Sequence, residues 1–127
     1  MPCPLCDDRT VTVGVPASLR EHAPADALSV CTSCLTVTDA DEASTDADFD
    51  ALSEHLPEGT AGVATLLLVD RLASLATNRE SIEALVAVLE AEGVDPLLVL
   101  DRLADDPTVE PSIDLSRRRR QLEQLVL

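Results

Sequence analysis

At 127 residues the chain has room for one ordinary domain, or for one small module joined to a second, and no more. Twenty-four Asp and Glu against nine Arg, with no Lys, leave a net charge of −15, which opposes the approach of a polyanion such as nucleic acid. Phe49 is the only aromatic residue, so the core must be built from Leu, Val and Ala, most of which lie beyond residue 50.

The chain opens on Cys3-Pro4-Leu5-Cys6, the first of two C-x-x-C turns; Cys31-Thr32-Ser33-Cys34 is the second. From the first turn, Thr10-Val11-Thr12-Val13-Gly14-Val15 alternates at period two and predicts a strand. Pro16 to His22 fits a single helical turn closed by Pro24. Ala27 to Val30 predicts a strand entering the second turn, and Leu35-Thr36-Val37-Thr38 one leaving it. Two cysteine turns flanked by short strands make a zinc-ribbon hairpin over residues 1–38. Residues 39–48 are small and acidic and read as a solvated linker.

From residue 49 onward the period becomes helical, so the fold class is α+β: a ribbon followed by a domain of about four to five helices over residues 49–127. A short helix is expected near 47–56, with Phe49, Leu52 and Leu56 on one face and Pro57 and Gly59 ending it. The next, about 60–77, carries Val63, Leu66, Leu67, Val69, Leu72 and Leu75 and little polar surface, which makes it the central helix. Thr77-Asn78-Arg79-Glu80 has capping-box spacing for a helix over about 79–92, stopped by Gly93. Asp95-Pro96 predicts an N-cap with Pro at the first helical position, opening a helix to about 104. Pro107 and Pro111 mark a loop. A last helix runs from about 112, capped by Ser112 or Asp114.

Charge divides along the chain. Residues 1–35 carry −2, residues 36–60 carry −8 with no basic residue, residues 61–111 carry −7, and residues 112–127 carry +2. A surface this acidic repels itself in dilute buffer and is screened in strong salt, where the Debye length falls to roughly 3 Å at 1 M. Acid excess without Lys is the composition expected of a salt-accumulating organism; an acidic mesophilic protein is the plainer alternative. The longest apolar run, Leu66 to Val69, is too short to span a bilayer, and the first ten residues hold no apolar signal segment. The expectation is therefore a cytoplasmic protein with reduced thiols and no membrane association.

Four thiols in two C-x-x-C pairs suit a closed, tetrahedral Zn²⁺ site with Cys3, Cys6, Cys31 and Cys34 as ligands. Iron with the same ligands, or a thiol–disulfide pair, are the competing readings. The cysteine-bearing segment holds little apolar material, so it is expected to need its metal to fold. His22 and His55 are isolated and read as ordinary surface or helix-end residues. With no Ser-His-Asp or Cys-His set and no glycine-rich phosphate loop, neither catalysis nor a small-molecule substrate is indicated.

Arg117-Arg118-Arg119-Arg120 is the one basic cluster. It is either a phosphate or nucleic-acid contact, or a solvated helix face that pairs with acids of the same chain, for example Arg119 with Glu123. Without aromatics there is no stacking platform for single strands. Leu115, Leu122, Leu125 and Val126 give the last helix an apolar edge, which either packs back on the chain or meets a partner or second copy.

On Cys3-Pro4-Leu5-Cys6, Cys31-Thr32-Ser33-Cys34-Leu35, Leu72 to Arg79, Gly93-Val94-Asp95-Pro96 and Ile113 to Arg119 followed by Gln121-Leu122, the chain resembles the small CPxCG-related zinc finger proteins of haloarchaea. More narrowly, it resembles an uncharacterised haloarchaeal family that joins a zinc ribbon to a helical region. Asp7 and Leu35 stand where glycine would follow each cysteine pair, and the second pair lacks the proline. The resemblance implies metal binding at Cys3, Cys6, Cys31 and Cys34 and no established activity. The function expected is a non-enzymatic zinc-binding interaction or regulatory module; a transcription- or translation-associated nucleic-acid binder is the alternative.

Overall fold

The computed structural model describes residues 3, 6, 7, 9–23, 26–40, 52, 55–57, 59–111 and 113–126. A three-stranded antiparallel sheet is followed by a helical region, as the change of period predicts. The strands are β1 (Thr10–Gly14), β2 (Ala27–Cys31) and β3 (Val37–Asp39), in the order β1-β2-β3. Val13 lies opposite Leu28, Val11 opposite Val30, and Val30 opposite Val37. Opposed residues share a face of an antiparallel pair, so these valines and Leu28 form one apolar side, with Thr12, Ser29 and Thr38 on the other. A 3₁₀ helix, Ala17–His22, bridges β1 and β2 and buries Leu19.

The strand leaving the second cysteine turn begins at Val37, two residues later than the alternation predicts. Leu35 has φ 60°, in the left-handed region, which belongs to the turn and not to a strand. The ladder also runs past the expected end of the ribbon: Asp39 is paired, and the Ala40 N–H donates to the Ala27 carbonyl at 3.0 Å.

Helix α1 (Gly59–Arg71) is buried at every position from Ala61 to Val69. A helix apolar all round has to be surrounded, and α1 packs on both α2 and β3. Its one interior polar group, the Thr65 hydroxyl, donates to the Ala61 carbonyl one turn back at 2.8 Å. The predicted continuous helix to 77 tightens instead into a 3₁₀ turn at Leu72–Ser74. The predicted capping box is not made. Asn78 takes the cap position of α2 (Arg79–Ala91) and its side-chain amide donates to the Arg71 carbonyl at 3.1 Å, satisfying the end of α1 rather than the start of α2.

Gly93 stops α2 at φ 78°, and the Val94 N–H donates to the Leu89 carbonyl at 2.9 Å, closing a Schellman-type end. Helix α3 (Pro96–Asp105) starts as predicted, with Asp95 Oδ1 accepting from the N–H groups of Leu97 at 3.0 Å and Leu98 at 3.2 Å. Helix α4 (Leu115–Val126) is capped by Asp114, whose Oδ1 accepts from the Arg117 N–H at 3.1 Å. The helix expected near 47–56 lies largely outside the described residues; within it, Leu52 and Leu56 are buried.

One apolar cluster runs through both regions. Val13, Leu19, Leu28, Val30, Leu35 and Val37 share it with Leu66 to Leu68 of α1 and with Leu85, Leu100 and Leu122. The apolar residues of the first forty are few, but they are spent on the interface with the helices. Polar contacts reinforce the junction: the Glu110 N–H donates to the Ser33 carbonyl at 2.9 Å, His22 Nδ1 meets Ser81 Oγ at 3.2 Å, and Arg71 donates to the His22 carbonyl.

Candidate metal centre

The two C-x-x-C turns are built alike. In the first, the Asp7 N–H donates to the Cys3 carbonyl at 2.9 Å; in the second, the Leu35 N–H donates to the Cys31 carbonyl at 3.2 Å. The closing residue of each has positive φ, 64° at Asp7 and 60° at Leu35. These are the two positions where the resemblance leads one to expect glycine, so the chain keeps the turn geometry with side chains in place. The left-handed region costs a residue with a Cβ roughly 1–2 kcal/mol, less for Asp. At Leu35 a compensation is visible, because its side chain is 1% exposed and plugs into the shared core. Burying a leucine contributes about 1.5–3 kcal/mol, enough to offset the strain.

β2 carries Cys31 at its end, and the Thr32 N–H and hydroxyl both donate to the Arg9 carbonyl, at 2.9 Å and 3.0 Å, holding the second turn against the chain that leaves the first. All four sulfurs lie within 4.8 Å of one another. The Cys3–Cys34, Cys6–Cys31 and Cys6–Cys34 separations are 3.6, 3.3 and 3.6 Å. Tetrahedral ligation with metal–sulfur bonds of about 2.3 Å requires sulfurs roughly 3.8 Å apart, so the set fits an ion with little adjustment. None of the four is in a disulfide. Cys3, Cys31 and Cys34 are buried and Cys6 is exposed. The four residues expected as ligands are thus brought together, and a metal ion is what their chemistry suits.

Donors surround the sulfurs. The Ser33 and Cys34 N–H groups each approach Cys31 Sγ at 3.4 Å, and the Thr36 hydroxyl lies 2.9 Å from Cys34 Sγ. Burial pushes the Cys34 thiol up from its ordinary value, with the Thr36 contacts pulling the other way. A bound cation reverses that balance by stabilising the thiolate, which the Thr36 hydroxyl can then serve as donor. Thr36 did not stand out in the sequence; its place two residues after the last cysteine is the only signal. A cavity of about 60 Å³ beside Cys34 is lined also by Thr36, Val69 and Asp70. Burial pushes the Asp70 carboxyl up, against the pull of the neighbouring Arg71.

His22 and His55 do not join the cysteine cluster. His22 is half-buried and serves as a joint, between Ser81 Oγ and Glu21 Oε1, the latter 3.3 Å from Nε2. The arginine run divides. Arg119 pairs with Glu123 as predicted, and its Nε lies 2.9 Å from Asp101 Oδ1 of α3. Arg118 donates to Gln121 Oε1 at 3.1 Å and to the Ala73 carbonyl at 3.4 Å, while Arg117 and Arg120 are exposed. Leu115 and Leu122, from the apolar edge of α4, are buried in the chain's own core. No helix among the described residues is long and apolar enough to cross a membrane.

No curated protein matches the chain, and no solved structure does. A family model does, over residues 2–126. That stretch takes in both cysteine turns and helices α1 to α4, and the chain belongs to the family of unknown function DUF6276.

Proposed function

We propose that the chain is a non-enzymatic zinc protein in which Cys3, Cys6, Cys31 and Cys34 hold one structural Zn²⁺ and the whole serves as an interaction or regulatory module. The observation that carries this is the four sulfurs within 4.8 Å of one another, presented by two matched turns. Four thiolates fill a tetrahedral shell and leave no position for water or substrate. The 60 Å³ cavity beside Cys34 is also far below the size of a pocket for an organic substrate. Zinc is favoured over iron because no aromatic side chain among the described residues belongs to the cluster and four reduced thiols suit a metal without redox chemistry. A charge of −15 with no Lys supports a salt-rich archaeal cytoplasm as the setting.

Metal analysis of protein purified without chelator is expected to return about one zinc per chain, and Cys31→Ser to abolish it. Less than a tenth of that, or iron in its place, refutes the assignment. The competing nucleic-acid reading now rests on the exposed Arg117 and Arg120 and on the donors that Arg118 has left, since Arg119 is engaged with Asp101 and Glu123. Titration with labelled DNA and RNA at low and molar salt decides it, with Arg117→Ser and Arg120→Ser as the variants that should weaken any such binding.

A further inference from the structure

Leu115 and Leu122 of the apolar edge of α4 are taken up by the chain's own core, while Leu125 stays half-buried beside an opening on the surface. An open groove of about 730 Å³ lies between α4 and the segment that joins α1 to α2. Leu75 and Leu125, both half-buried, supply apolar surface in it. Among the described residues, Arg79 and Arg118 stand in its lining with Gln121 and Gln124, and no Asp or Glu does. That is unexpected in a chain with 24 acidic residues and nine arginines. Against a net charge that turns anions away, two guanidiniums face this opening, Arg79 sharing its Nε with Glu83.

Both arginines keep donors in hand. Arg79 spends Nε on Glu83 at 3.3 Å and is largely exposed, its two terminal nitrogens free for another carboxylate. Arg118 uses one N–H from each terminal nitrogen, on Gln121 and on the Ala73 carbonyl, out of five donors. A guanidinium presents paired N–H groups that match a carboxylate's two oxygens, and the Gln121 and Gln124 amides can serve a peptide backbone.

We infer that this groove is the docking site for an acidic, leucine-bearing peptide segment of a protein partner. Carboxylates pair with Arg79 and Arg118, and aliphatic side chains settle on Leu75 and Leu125. The apolar floor keeps part of the affinity in strong salt, where the ionic part is screened. The inference deepens the interaction-module reading by naming its surface and the chemistry of its partner.

A labelled peptide of alternating Glu and Leu, titrated into the zinc-loaded full chain, is the direct probe, with a Lys-Leu peptide and a single-stranded RNA as comparators. The Glu-Leu peptide is expected to bind, and Arg79→Gln and Arg118→Gln each to weaken it roughly three- to tenfold. Gln124→Glu, at an exposed rim position that leaves both arginines in place, is expected to weaken it comparably by adding a like charge. Unchanged helical circular dichroism establishes that each variant is folded. No binding, equal binding of the Lys-Leu peptide, tighter binding of the RNA, or affinity unmoved by all three substitutions overturns the site. Zinc content measured on the same samples separates the two readings: full zinc with an ignored peptide refutes the groove alone.

Discussion

Leu35 is the residue at which the metal turn and the apolar core make opposite demands, and two substitutions separate them. Its φ of 60° favours glycine, while its side chain, 1% exposed, belongs to the core. Leu35→Ala removes the buried carbons and leaves a Cβ in the left-handed region, at a cost of about 3 kcal/mol. Leu35→Gly removes the same carbons and one more buried methyl, worth about 0.8 kcal/mol. It relieves roughly 1–2 kcal/mol of backbone strain and loses about 0.4–1 kcal/mol because glycine is freer when unfolded. The terms cancel to within about 0.5 kcal/mol, so glycine should match alanine here, whereas without the strain relief it would be worse by about 1.5 kcal/mol. Unfolding 127 residues at about 2.1 cal/mol/K each makes 1 kcal/mol worth roughly 4 °C in Tm. The Ala variant is then expected to melt about 12 °C below the parent and the Gly variant within about 2 °C of the Ala variant. Thermal melts at saturating zinc, followed by circular dichroism, read this directly. A Gly variant that melts about 6 °C below the Ala variant, or an Ala variant within about 2 °C of the parent, refutes the account of Leu35 as a strained core plug.

Other outcomes follow from the same geometry. Asp7 takes the matching position but is exposed, so Asp7→Gly relieves strain without losing packing and should raise stability by about 0.5 kcal/mol; a fall in the denaturation midpoint contradicts this. Thr36→Val removes the hydroxyl 2.9 Å from Cys34 Sγ and should weaken metal affinity about tenfold in competition with a chromophoric chelator while hardly altering the helical signal. Removing the metal should lower Tm in a single transition seen equally by helix and by thiol reactivity, because sheet and helices share one core. Helices melting at an unchanged temperature while the cysteines become reactive would show that the two regions are energetically separate.

Much of this was readable residue by residue. The four ligands announced themselves by spacing, and Asp95-Pro96, Gly93 and Asp114 delimit helices through local backbone chemistry that needs no tertiary partner. What could not be read were the choices made by the rest of the fold. Thr77-Asn78-Arg79-Glu80 has the letters of a capping box, but Asn78 is drawn to the Arg71 carbonyl by the packing of α1 against α2. Leu35 alternates like a strand residue, but closing the cysteine turn forces it left-handed. The edge of α4 reads as a docking surface or as core, and the shared cluster assigns Leu115 and Leu122 to core while Leu125 stays half-buried. The groove beside Arg79 and Arg118 joins residues nearly forty positions apart, which no local pattern can reveal.

The union of Val13, Leu28 and Val37 with Leu66 to Leu68 has a consequence for the intact polypeptide. What fastens the front of the molecule to the back is interlocked oil, Leu52 and Leu56 included, and the Glu110–Ser33 clasp, not the covalent thread over residues 41–51. Snip that thread, and the two fragments should go on travelling together through a sizing column, parting only when denaturant loosens them.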